Sequence, residues 1–129
     1  MTETTKPMLW TGRALSAVFV LFMLMDIAIK LIQLPVVEET MKTLGWPPGW
    51  GLPIGVMELA LVALYLIPRT ALLGAVLLTG LFGATVATHL RLGNPLFSHV
   101  LFGVYLALFA WGGLWLRDAA LRAVFPLRR

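Results

Sequence analysis

Five side chains in this sequence could carry proton or metal chemistry inside otherwise apolar runs: Asp26, Lys30, Glu58, His89 and His99, with Arg91 at a rim. Two carboxylates, two imidazoles and an amine can shuttle protons or polarise a carbonyl, as in a quinone or ketone. Asp26 and Lys30 are four residues apart and share one face of a helix, so they can pair. By ligand type, His89, His99 and Glu58 could bind a metal, and haem between the two histidines is a variant. No compact ligand motif supports either, so no metal ligand is assigned. A hydrogen-bonded network that only fixes helix register is the plain structural alternative.

Those side chains need elements to hold them, and composition says which kind. Of 129 residues, 60% are hydrophobic and 12% charged, about half the charge of a soluble domain. A core this small could not hide so much apolar surface. Four runs approach the ~20 residues that cross a bilayer, at about 10–34, 51–67, 70–92 and 95–116. The expected fold is therefore all-α: one integral membrane four-helix bundle spanning residues 1–129. Pro35 and Pro68 stop the first two spans. Gly93 lies just past the end of the third, and Asn94-Pro95 reads as an N-cap followed by proline at the first helical position of the fourth. Residues 36–50 differ. Val37, Met41 and Leu44 share a face while Glu38, Glu39 and Lys42 are polar, which predicts a short amphipathic interfacial helix between spans one and two. The first span is too long for a signal peptide and contains Asp26 and Lys30.

Even-numbered spans put both termini and the Arg69 turn on one side, with Lys6, Arg13, Arg117, Arg122, Arg128 and Arg129. That side should be cytoplasmic. Trp10, Trp111 and Trp115 would belt it, and Trp46 and Trp50 the opposite interface. The pairs Gly80/Ala84, Gly83/Ala87 and Gly103/Ala107 permit close helix packing, within the bundle or in a homo-oligomer. The basic residues form no solvated patch with interleaved aromatics, so nucleic acid is not an expected partner. The chain has no cysteine, which excludes disulfides and thiolate chemistry.

Depth turns the polar residues into a pattern. At ~1.5 Å per residue, Asp26 lies ~12 Å and Lys30 ~6 Å before the outer end of the first span, and Glu58 ~8 Å inside the second. His89 and His99 sit about one turn from the outer ends of the third and fourth. All five fall in the outer half of the bilayer, where independent accidents would scatter them over both. Charges in hydrocarbon cost about 2.5–3.5 kcal/mol each, so inward orientation is expected. The expectation is a polar pocket roofed by residues 36–50, with Thr85, Thr88, Ser98 and Tyr105 adding hydroxyls.

The motifs GRALS at 12–16, the Asp26/Lys30 pair, LYLIPRTALLGAVLLTG at 64–80, ATHLRLGNPLFSHVLFG at 87–103, WGGLWLRD at 111–118 and the terminal PLRR together resemble the DoxX-like family of small bacterial membrane proteins. Asn94 departs from the aspartate frequent among such relatives. The resemblance implies a four-helix protein of the bacterial plasma (inner) membrane. It also implies a link to quinone chemistry and to membrane oxidoreductase partners. The expected function is redox-associated binding of a quinone or similar small lipophile. Asp26, Glu58 and His89 would handle protons, and Lys30, Arg91, His99 and Tyr105 would position the ligand. A stand-alone acid–base enzyme (isomerase or lyase) and a non-catalytic accessory subunit are the alternatives.

Overall fold

The structure, a computed structural model, describes residues 3–128, so Arg129 of the basic side lies outside the described residues. All regular structure among them is helical: α1 (Lys6–Leu31), α2 (Pro35–Thr43), α3 (Gly51–Leu66), α4 (Ala71–Arg91), a widened turn (Leu96–Val100) leading into α5 (Phe102–Arg117), and α6 (Ala119–Val124). Three of these runs, Lys6–Leu31, Ala71–Arg91 and Leu96–Arg117, are long and apolar enough to cross a membrane. The fourth apolar helix, α3, has 16 residues, about 24 Å of rise. Contacts close into a ring: α1 lies on α3 and α5, and α4 lies on the same two.

The ends of the helices show why the chain turns where it does. Thr5 caps α1, its hydroxyl accepting from the Met8 amide at 3.3 Å. Pro35 does more than stop the first span. α1 ends at Leu31, and Pro35 opens α2 in its first turn, where a missing N–H costs nothing. The turn between them closes through Leu34 N–H to the Ile29 carbonyl (3.1 Å) and Gln33 N–H to the Lys30 carbonyl (3.2 Å), with Gln33 left-handed at φ 58°. The same two-bond closure follows α2 and α4, where Gly45 and Gly93 hold the left-handed position. Glutamine there carries a Cβ that glycine lacks. Gln33→Gly is therefore expected to raise unfolding stability by about 1 kcal/mol. Chemical unfolding in mixed micelles checks this, and an unchanged or lowered midpoint counts against it.

Two expectations from sequence need correction. Asn94 does not cap the following helix: its side chain bonds to His89, and Pro95 takes the extended position before the helix instead. The next turn is wider than α, with Val100 N–H bonded to the Pro95 carbonyl (3.1 Å) and Leu101 N–H to the Leu96 carbonyl (2.9 Å). α6 is an addition. Asp118 starts it by accepting from the Ala120 and Leu121 amides at 3.0 and 3.2 Å. Arg122 is buried in it and donates to the Trp115 and Leu116 carbonyls at 2.8 and 3.0 Å. It thereby satisfies open carbonyls at the end of α5.

Along its long axis the molecule has three layers. The middle is an aromatic and aliphatic core in which Phe19 meets Tyr65 and Phe82 edge-on at 5.3 and 5.9 Å, beside Val62 and Leu78. One end carries both described termini and a Ser16–Tyr65–Arg117 network. The other carries Asp26, Lys30, Glu58 and α2. The outer faces are apolar as well, with Leu21, Leu90 and Leu108 each more than 60% exposed. Such helices are apolar all round, as lipid contact requires.

Candidate functional site

The ionisable layer borders a partly open cavity of about 330 Å³, within the usual range for small-ligand sites. α1 contributes Asp26 and Lys30, α3 Glu58, α4 His89, and the widened turn His99. α2 roofs it: Val37 and Met41 are buried against the cavity while Glu38, Glu39 and Lys42 face out. The rest of the roof is Val36, Leu44 and Trp46, with Thr40 its one polar side chain. Glu38 accepts from the Gly49 amide at 3.2 Å, tying the far end of this connector back to α2.

Lys30 is the hub. Its Nζ donates to Asp26 Oδ2 at 2.6 Å and to Glu58 Oε1. The first bond follows from the four-residue spacing. The second needs α1 and α3 close together, and Gly55, one turn before Glu58, permits it. A Cβ at Gly55 would lie 2.8 Å from the Lys30 Cβ. Burial is unequal. The Glu58 side chain is 2% exposed, against 17% for Lys30 and 30% for Asp26. Glu58 Oε2 is buried and has no hydrogen-bond partner among the described residues. A buried acceptor left open is costly, so it marks where a donor belongs.

The two histidines form the opposite wall. Their rings meet edge-on with centroids 5.7 Å apart. Asn94 Nδ2 lies 2.7 Å from His89 Nδ1. The amide donates there, so neutral His89 carries its proton on Nε2. Ser98 Oγ lies 2.8 Å from His99 Nδ1. With each Nδ1 engaged, the Nε2 atoms are the positions left for a ligand. The rings touch directly, so no macrocycle fits between them. Among the described residues no three His, Asp or Glu side chains converge as metal ligands. His89, His99 and Glu58 thus do not make the three-ligand set that residue type alone allowed.

Two residues expected to contact ligand lie elsewhere. Arg91 does not line the cavity; its Nη2 donates to the Leu44 carbonyl at 3.1 Å and ties α4 to the roof. Tyr105 points away and donates to the Phe97 carbonyl at 2.7 Å. Thr85 and Thr88 do line the cavity, but both hydroxyls donate to carbonyls of their own helix at 2.8–3.0 Å. Asn94 is the site residue that its sequence position disguised, since an amide before proline reads first as a cap.

An all-helical chain with three membrane-capable runs and a partly polar cavity among apolar helices is a multi-pass membrane protein. Comparison with known families agrees. The family model described as the DoxX-like family matches residues 14–113. The chain belongs to the DoxX-like family. Neither a curated protein nor a solved structure matches it.

Proposed function

We infer that the protein is a four-span membrane bundle that binds a quinone or similar small lipophile in the cavity beneath α2, in the service of membrane redox chemistry. In this reading α3 is the short fourth span and α2 lies in the interface on the outer surface. The end bearing Arg13, Arg69, Arg117, Arg122 and Arg128 faces the cytoplasm of a bacterial cell. The observation that carries the reading is Glu58. A carboxylate buried in hydrocarbon, with one oxygen unpartnered and a cavity beside it, is a functional candidate by default.

The donor and acceptor pattern narrows the roles. Two of the three donors of Lys30 go to carboxylates, so it orders Asp26 and Glu58, and the third is left to position a ligand. A ligand hydroxyl would donate to the Asp26–Glu58 carboxylate pair, which it reaches from the cavity on the more exposed Asp26 side. A ligand carbonyl would accept from His89 Nε2–H. His99 positions the ring from the same wall, and Arg91 holds the roof closed over it. Asp26, Glu58 and His89 are then the groups through which a proton enters or leaves. Apolar lining from Met23, Phe82 and Leu106 would receive the ring itself.

Trp46 lines the cavity and reports occupancy. Titrating decylubiquinone into the purified protein in nanodiscs should quench tryptophan fluorescence saturably. Glu58→Gln and His89→Ala should each weaken binding by about tenfold, the worth of one hydrogen bond to a charged or buried group. Quenching that never saturates, or that is identical in both variants, would remove the basis for this function.

A further inference from the structure

The end opposite the ionisable cavity carries a second depression, of about 400 Å³, between α1, the end of α3 and the end of α5. Its two halves differ in chemistry. One is polar, with Arg13 and Arg117 in front of Ser16 and Tyr65. The other is an apolar wall that includes Ala17, Leu21 and Leu66.

Hydrogen bonding in the polar half runs one way. Tyr65 donates its hydroxyl proton to the Ala110 carbonyl at 2.6 Å. Its oxygen therefore accepts from Ser16 Oγ at 2.8 Å, and Ser16 accepts from Arg117 Nη2 at 3.0 Å. Arg117 Nε is spent on the Gly113 carbonyl at 3.0 Å. A guanidinium has five N–H groups, so three remain at Arg117. Arg13 sits over the Trp10 ring at 4.8 Å and has no acceptor among the described residues. Among the described residues, neither arginine meets a carboxylate. Both ion pairs found among the described residues are at the other end of the molecule. The depression thus presents two guanidinium groups with unspent donors and no ion-pair partner among the described residues.

Its position supplies the rest. Arg117 is the last residue of α5, Leu66 the last of α3, and Arg13 lies two turns into α1. That is the level of a membrane surface, where Trp10 also belongs. From there the wall of Ala17 and Leu21 continues along α1 toward the middle of the bilayer. A phosphate matches paired guanidiniums through bidentate bonds, and a hydrocarbon chain matches the wall. We propose that this groove holds an anionic membrane phospholipid, its phosphodiester on Arg13 and Arg117 and an acyl chain along Ala17 and Leu21.

Native mass spectrometry of the full-length protein, incubated with equal amounts of dioleoyl phosphatidylglycerol and dioleoyl phosphatidylcholine, tests this. Two basic side chains predict a preference for the anionic lipid of about thirtyfold, and Arg13→Gln should reduce it to about fivefold. Ala17→Phe fills the apolar wall and should lower retention of both lipids. Both positions are exposed, so the variants should melt like the parent by circular dichroism. Arg117→Gln also costs the fold its Ser16 bond, which is why these two positions carry the test. Excess inorganic phosphate should leave the lipid in place. Equal retention of the two lipids, an unchanged preference in Arg13→Gln, or displacement by inorganic phosphate alone would each overturn the proposal.

Discussion

Lys30→Met is expected to destabilise the protein more than any other single substitution at the ionisable end, by about 3–5 kcal/mol. The lysine is the common partner of two carboxylates, and Glu58 is almost fully buried. Removing the ammonium leaves negative charge in a low-dielectric layer with nothing to compensate it, against a total stability of about 5–15 kcal/mol for a domain. Asp26→Asn should cost far less, about 1 kcal/mol, because that side chain is 30% exposed and the Lys30–Glu58 pair survives. The double variant Lys30→Met/Glu58→Gln removes the stranded charge along with its partner. It should recover at least 2 kcal/mol relative to the sum of the single effects, the behaviour of residues in one network. Unfolding in mixed micelles and the amount of protein in the membrane fraction read these three variants and the Glu58→Gln single. If Lys30→Met is as stable as the parent, the ion-pair description of this layer is wrong.

The second large effect is steric and lies at the other end. A Cβ on Gly113 would collide with Ser16 Oγ and come within 2.9 Å of both the Gly12 carbonyl oxygen and the Ser16 amide nitrogen. On Gly74 it would strike the Tyr65 amide nitrogen and lie 2.7 Å from the Tyr65 Cα. In both cases the obstacle includes backbone of a neighbouring helix, which cannot rotate aside. Gly113→Ala should push α1 from α5 and break the Arg117–Ser16 bond, and Gly74→Ala should open the α3–α4 hairpin. Each should cost about 2–3 kcal/mol. Gly80 and Gly83 provide the control, since nothing lies within 4 Å of a Cβ at either. Alanine there should be neutral, or stabilising by up to about 1 kcal/mol through helix propensity. Equal losses at all four positions would show that general backbone flexibility, and not close approach, is what these glycines supply.

That contrast also marks what the sequence could reveal. Spacing of small residues identified Gly80 and Gly83 as packing candidates, yet a Cβ at either would meet nothing within 4 Å among the described residues. Gly103 does pack, 2.9 Å from the Phe82 carbonyl for an added Cβ. Periodicity gives the separation of residues along a helix but not the rotation of that helix in the assembly. Depth, by contrast, follows directly from rise per residue. For that reason Asp26, Lys30, Glu58, His89 and His99 could be placed at one level before any fold was known, while the outward turn of Tyr105 could not. Arg91 shows the same limit: its depth was legible, its bond to Leu44 was not. Local ambiguity accounts for the remainder. Pro35 ends one helix by opening another, and Asn94 had two hydrogen-bonding options of which only His89 lies off the chain's own backbone. α6 is too short for a periodic signal, though Asp118 followed by two alanines is a fair start signal.

The apolar underside of α2 has a consequence for how affinity is to be expressed. On the proposed reading, Val37 and Met41 lie between the cavity and water, the helices around it present hydrocarbon outward, and a molecule that fits partitions into lipid before it arrives. Occupancy is then set by the ligand's mole fraction among surrounding lipids, not by its molarity in buffer. Adding empty micelles at constant total ligand should empty the cavity, and dissociation constants measured at different lipid ratios should converge only when written per lipid.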